Sequence, residues 1–248
     1  MGLAMSNSVQ EESSSAARIA STALITGASR GIGREVALTL AAEGWRVLSG
    51  VRDPKSAPPQ TRAEVVDLGN PDSIEALAKR LRDRNQLLDA LVNNAGVYQG
   101  PVRRIWNVNV LGPLLLTRAL EPLLARNARV VMVTSGLGKL TAQSASLVKR
   151  LSNPKLSLAE LERLAKEGPG GYGASKATLS AMARLFAKEL APRGILVNAI
   201  SPGWVRTDMG GANAPRSVEQ GAASVLWGVR LPPGGPTGGI FEDGEPVE

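Results

Sequence analysis

The sequence predicts an α/β fold: one doubly wound parallel sheet of about seven strands with helices on both faces. Two observations predict it. Short apolar runs of strand length alternate with stretches whose apolar residues recur every three or four positions, the order of successive βαβ units. A glycine-rich loop also sits between the first such strand and the first such helix. At 248 residues, 43% of them apolar, the chain suits one domain of this kind, and no repeat or domain boundary is visible.

Residues 1–18 are rich in Ser, Glu and Ala and lack a hydrophobic run, so they read as a disordered tail rather than a signal peptide, with 19–248 as the folded domain. Met1-Gly2 with Ser6 fits a myristoylation pattern only loosely, and chance explains it better. Ile19 to Thr26 is the first strand, followed by Gly27-Ala28-Ser29-Arg30-Gly31-Ile32-Gly33 and then a helical stripe through Ile32, Val36 and Leu40 that Gly44 ends. Arg46 to Gly50 is the second strand. This is the Rossmann arrangement. Gly27 permits the tight turn, Gly31 and Gly33 permit close approach of backbone to a pyrophosphate, and the helix N-terminus offers free N–H groups to it.

Past the second strand, Arg52 and the loop residue Arg30 provide two guanidiniums for a 2′-phosphate, which favours NADP over NAD. Asp53 argues the other way, but it sits between Arg52 and Pro54 and is expected to turn into the loop. Prolines 54, 58 and 59 leave little room for a second crossover helix. A strand over 63–66 ends at Asp67-Leu68, where Asp67 either meets an adenine amine or caps the turn before Pro71. Ile74, Leu77, Ala78 and Leu81 mark a helix, and 88–92 is a strand ending in Asn93-Asn94-Ala95-Gly96.

From Val108 to Leu124 a leucine-rich stretch predicts a buried helix, with Pro113 and Pro122 as candidate kink points. Asn109 lies among its apolar residues and needs partners there, either backbone or a site water. Residues 129–135 form the fifth strand and deliver Ser135 to its C-terminal end, the ligand-binding edge of open α/β sheets. In the long 136–171 connection, Ser157 and Glu160 read as a capping box opening a helix that ends near Gly168. Leu179, Met182, Phe186 and Leu190 then form the stripe of a helix opened by Tyr172. A strand over 195–200 leads into Ser201-Pro202-Gly203-Trp204-Val205-Arg206-Thr207. A weaker helix over 217–229 and a short strand over 239–241 complete the chain.

The composition narrows the chemistry. Without cysteine there are no disulfides and no thiolate metal sites; without histidine there is no His triad and no His-bound zinc. No metal site is expected, and acid–base work falls to Tyr, Lys, Asp or Glu. The net charge of +7 is scattered and aromatics are 3%, which describes a solvated basic surface rather than a nucleic-acid site. No apolar run reaches the roughly 18 residues of a membrane span. Nothing requires an oxidising compartment, and a cytoplasmic location is the expectation.

Tyr172 and Lys176 lie one turn apart on the same helical face. An ammonium beside a phenol stabilises the phenolate and lowers a pKa that is ordinarily about 10. Such a pair is what a general acid for carbonyl reduction requires, although alone it occurs on many solvated helices.

Taken in order, Thr26-Gly-Ala-Ser-Arg-Gly-Ile-Gly33, Asn93-Asn-Ala-Gly96, Asn109, Ser135, Tyr172-x-x-x-Lys176 and Pro202-Gly203 resemble the short-chain dehydrogenase/reductases, from about residue 20 to the C-terminus. The 202–209 stretch and the helical insertion before Tyr172 look most like the NADP-dependent carbonyl reductase branch. The resemblance implies that Tyr172 gives the proton to the carbonyl oxygen. Lys176 lowers its pKa and binds the nicotinamide ribose, Ser135 polarises the carbonyl, and Asn109 anchors a proton-relaying water. It implies an NADP(H) site of Gly27, Ser29, Arg30, Gly31, Ile32, Gly33, Arg52, Asp67, Leu68, Asn94, Tyr172, Lys176, Pro202, Gly203, Val205 and Thr207. The partner is then a small-molecule carbonyl: an aldehyde, ketone or quinone. A non-catalytic NADP(H)-binding or sensing protein is the alternative. Two departures stand out: the 97–108 loop is short for the family, and the 136–171 insertion tends to cover the usual dimer face, which implies a monomer and leaves a homo-oligomer open. The segments expected to shape the substrate pocket are 97–108, 136–171 and 204–216.

Overall fold

The structure, a computed structural model, describes residues 20–247. The expected tail and Ile19 lie outside that range. In chain order the elements are β1 (Thr22–Thr26), α1 (Gly31–Ala42), β2 (Arg46–Val51), β3 (Arg62–Val65), α2 (Pro71–Asp83), β4 (Leu88–Asn93), α3 (Val102–Trp106) and α4 (Gly112–Leu120). They continue with β5 (Leu124–Val133), α5 (Ala145–Leu151), α6 (Leu158–Glu167), α7 (Tyr172–Leu190), β6 (Leu196–Ser201), α8 (Val218–Val229), β7 (Ile240–Glu242) and β8 (Glu245–Pro246).

The strands form one sheet in the order β3-β2-β1-β4-β5-β6-β7-β8, parallel through β7. The order reverses between β1 and β4, the switch point at which such sheets leave a crevice. The strand count exceeds the expected seven by β8, which pairs antiparallel with β7. Its turn is Asp243-Gly244, both at positive φ (54° and 87°), as a type I′ hairpin demands. That Asp-Gly pair was a legible signal.

Each strand feeds both faces. Leu24 joins the core beneath α2, α4 and α7, while its neighbour Ile25 joins the core beneath α1 and α8. Short parallel strands buried on both faces need such continuous apolar runs.

The 108–124 stretch departs from expectation. The helix starts earlier, at Val102, and is interrupted by a π-type turn over Asn107–Leu111 before α4. Pro113 carries no N–H and cannot bond the carbonyl four residues back, so the turn widens ahead of it instead of kinking at it. Pro122 ends the helix in a 3₁₀ turn, and Leu124 already belongs to β5. β5 therefore begins five residues before Arg129, with a bulge against β4 where Asn127 takes φ 58°. The Ser157 box is half formed: Ser157 accepts from the Glu160 N–H, but the Glu160 carboxylate goes to Arg150 and Arg163. The reciprocal box stands instead at Ser217 and Gln220, opening α8. Within the insertion, α5 is an additional helix.

Candidate active site

The site forms at the C-terminal ends of β1, β4, β5 and β6. Gly27 leaves β1 at φ +68° and Gly31 takes φ +54°. A Cβ on Gly33 would stand 2.3 Å from Asn94 Nδ2 and 2.5 Å from the Gly27 carbonyl, so only glycine fits there. Arg30 is the extended N-cap of α1, and no side chain caps it. The helix end thus presents unclaimed N–H groups and its positive dipole to the loop, a cradle that suits a pyrophosphate.

Around this cradle, the Asn94 amide donates to the Thr26 and Gly27 carbonyls at 2.9 and 3.3 Å, holding β4 to the loop. The Thr26 hydroxyl accepts from the Asn94 and Ala95 N–H groups and reaches the Val92 carbonyl, a tie the sequence reading did not assign. Thr207 accepts from Gly210 N–H, and its methyl comes within 3.3 Å of where a Cβ on Gly31 would be. Val205 is buried, bridges to Arg216 and fills the space over Gly221, as does Ile32. Gly203 takes φ +74° beside Arg216, directly after Pro202. Ser29 is half-buried in the loop. These positions come together on one edge.

At the far end of the groove, Arg52 is exposed just past β2. Arg30 is also exposed but pairs with Asp208 at 2.9 Å, so it lies across the loop rather than standing free. Such an exposed pair costs little to exchange for another anion. The Asp53 carboxylate turns into its own loop and accepts from Lys55 N–H at 3.0 Å. Asp67 accepts from Gly69 N–H at 2.9 Å through one carboxylate oxygen, which caps the turn. Leu68 is buried, its carbonyl close over Gly112.

On the reacting side, Tyr172 opens α7 and Lys176 lies one turn on, 3% exposed. The Lys176 ammonium donates to the Val133 carbonyl at 2.7 Å and sits 5.6 Å from the centre of the Tyr172 ring. Burial pushes the Lys176 pKa down to about 8. The expected lowering of Tyr172 is not found. Burial raises its pKa, the Ser135 hydroxyl pulls the other way, and the neighbouring Tyr98 adds to the rise. The Lys176 ammonium, near enough to steady a phenolate, is itself lowered below the range in which the resting phenol ionises. Ser135 also caps the 3₁₀ turn Gly136–Gly138 by accepting from Leu137 N–H.

Asn109 is fully buried in the π-type turn. Its amide exchanges two hydrogen bonds with the Val97 backbone, at 2.8 and 2.9 Å, and donates to Ser175 Oγ at 3.0 Å. The backbone pairing is therefore formed, and both amide hydrogens are used. Its carbonyl, four residues ahead of Pro113, lacks the usual helical donor.

A cleft of about 820 Å³ opens beside Tyr172, walled by Tyr98, Ile105, Leu137, Gln143 and Leu147. The 97–108 and 136–171 segments thus shape it as expected, whereas residues 204–216 do not line it and pack toward the glycine loop. Tyr98 meets Tyr172 edge to face, centres 4.9 Å apart. Trp106 reaches across to bond the Gly170 carbonyl at 2.7 Å. Neither aromatic was singled out from the sequence.

This is a Rossmann-type α/β chain with a Tyr–Lys helix at the switch-point edge. Residues 21–147 match the family model described as short chain dehydrogenase, and 155–226 match that described as Enoyl-(Acyl carrier protein) reductase. Carbonyl reductase [NADPH] 1 of Rattus norvegicus is 31% identical over 265 residues, covering 89% of this chain and 95% of that protein. The 3-oxoacyl-[acyl-carrier-protein] reductase of Synechocystis is 31% identical over 212 residues, covering 77% and 76%. A short chain dehydrogenase from Burkholderia cenocepacia, solved in complex with NADP, superposes with a TM-score of 0.68 at 26% identity, covering 90% and 95%. The chain belongs to the short-chain dehydrogenase family of oxidoreductases. Among the described residues, no helix is long and apolar enough to cross a membrane.

Proposed function

We propose that this protein is an NADPH-dependent reductase that converts an aldehyde, ketone or quinone to an alcohol, with Tyr172 as the general acid. The observation that carries the reading is the Tyr172–Lys176 pair: a half-buried phenol beside Ser135 and a buried lysine lowered to about 8, at the mouth of an apolar cleft. NADPH, when bound, supplies the hydride. The α1 N-terminus, Gly27, Gly31 and Gly33 hold its pyrophosphate, and Arg52, with Arg30 released from Asp208, holds the 2′-phosphate. The Ser135 hydroxyl donates to the substrate carbonyl and fixes it against the phenol. Tyr172 gives that oxygen its proton, and the Lys176 charge steadies the phenolate left behind. A lysine poised near 8 then gives and regains a proton close to neutrality, which an Asn109 carbonyl without a helical donor serves by holding the relay water.

The test is NADPH oxidation by the purified protein against a panel of aldehydes, ketones and quinones. Turnover of members of that panel is the expected result. Tight NADPH binding with no turnover of any of them would instead favour the non-catalytic, sensing alternative.

A further inference from the structure

The chain has two tyrosines, and they touch. Tyr172 is committed to the reacting carbonyl. Tyr98 makes no hydrogen bond among the described residues, is 42% exposed, and stands at 76° to Tyr172 at the head of the cleft. An exposed aromatic at a site mouth needs a reason, because solvating a ring face costs free energy that folding alone would have removed. The rest of the cleft sharpens that reason. Charged residues make up 21% of the chain, yet none of the described ones lines this cleft. Its apolar surface comes from Ile105, Leu147 and the exposed Leu137, and its polar contacts come from neutral groups such as Gln143. A carboxylate or phosphate drawn against such walls would lose water without gaining a partner. At about 820 Å³ the cleft has the capacity of an ordinary small-molecule site.

We propose that Tyr98 is a specificity-determining residue, and that with the uncharged walls it selects neutral compounds that carry a flat aromatic ring system beside the reacting carbonyl. This rests on the reading of the chain as a carbonyl reductase. Tyr98 acts by positioning and holds no reacting atom, so its removal is read first as weaker binding of the flat group.

The experiment compares wild type, Tyr98→Ala and Tyr98→Phe with NADPH and three ketones: 2-acetylnaphthalene, the flexible 2-octanone, and 6-acetyl-2-naphthoic acid. Wild type is expected to favour 2-acetylnaphthalene at least tenfold in kcat/KM over both others. Tyr98→Ala is expected to raise KM for 2-acetylnaphthalene about tenfold, to keep kcat within threefold, and to leave 2-octanone within twofold. Tyr98→Phe restores wild-type behaviour. Equal treatment of the three ketones by wild type, or an equal loss for both neutral ketones in Tyr98→Ala, overturns the selection and leaves the reductase reading standing. Calorimetric titration of each protein with 2-acetylnaphthalene separates the other case. Binding that depends on Tyr98 without turnover supports the aromatic wall while the reductase reading fails, and binding indifferent to Tyr98 overturns the wall.

Discussion

The Lys176 ammonium is anchored on the Val133 carbonyl, 2.7 Å away, and not on the Tyr172 hydroxyl. That bond to a strand-end carbonyl fixes where the charge of the site sits, and burial, which no carboxylate among the described residues offsets, sets when that charge is lost. The phenol, raised by its own burial, stays protonated across the same range.

This pairing predicts the pH dependence of reduction. An ordinary lysine holds its proton to about 10.4. Lys176, lowered to about 8, releases it earlier, so the form able to steady the phenolate is full below about pH 7 and falls away above 8. Plotted against pH, kcat/KM for carbonyl reduction is expected to be level up to about 7 and then to approach a tenfold loss per unit beyond 8. A profile still level at pH 9.5 would remove Lys176 from the mechanism.

Tyr172→Phe is expected to cost about 10²–10⁴-fold in turnover, the usual span for a positioned acid. The ring that packs against Tyr98 is kept and the glycine cradle is untouched, so NADPH affinity, read by titration, changes little. Near wild-type rates from this variant would sink the proposed proton transfer.

Arg52→Asp places a carboxylate where a guanidinium now stands exposed beyond β2. A 2′-phosphate meets repulsion there, whereas a ribose hydroxyl can donate to the new acid. The variant is expected to weaken NADPH at least tenfold more than NADH, measured as dissociation constants for both. Equal losses would count against the phosphate assignment and against the choice of NADP over NAD.

The main frame was legible in the sequence because each strand is buried on both faces and each helix carries one stripe. Leu24 and Ile25, or Leu179 through Leu190, could hardly be read otherwise. The glycine loop was legible for the same reason: Gly33 has no space for a Cβ. What escaped were features set by contacts far along the chain. No local pattern says that the Lys176 side chain turns to β5, 43 residues back. Nor does any say that the Asn109 amide is spent on Val97, or that the Glu160 carboxylate prefers Arg150 to its own helix end. The π-type turn was half legible: Pro113 announced a missing donor but not the direction in which the helix would give.

Trp106 shows what such a distant contact is worth. Fully buried at the end of α3, it donates to the Gly170 carbonyl, two residues before Tyr172, and its ring comes within 3.4 Å of the Cβ position of left-handed Gly168. The Gly168-Pro169-Gly170-Gly171 run is tied by backbone bonds to α6 and α7 at its ends, and the indole adds the side-chain tie at Gly170 that bears on how α7 begins and where the phenol points. Trp106→Phe keeps an aromatic ring but loses one donor and part of the filled volume, a change of about 1–3 kcal/mol. In a domain of this size each kcal/mol lowers Tm by roughly 2–4 °C. Because the cradle lies on the opposite side of the sheet edge, NADPH affinity is expected to hold while kcat falls several-fold through a less constrained Tyr172. Thermal melts, NADPH titration and single-turnover rates read the three quantities separately. A lower Tm with unchanged single-turnover rate would show that the indole supports the fold without aiming the acid.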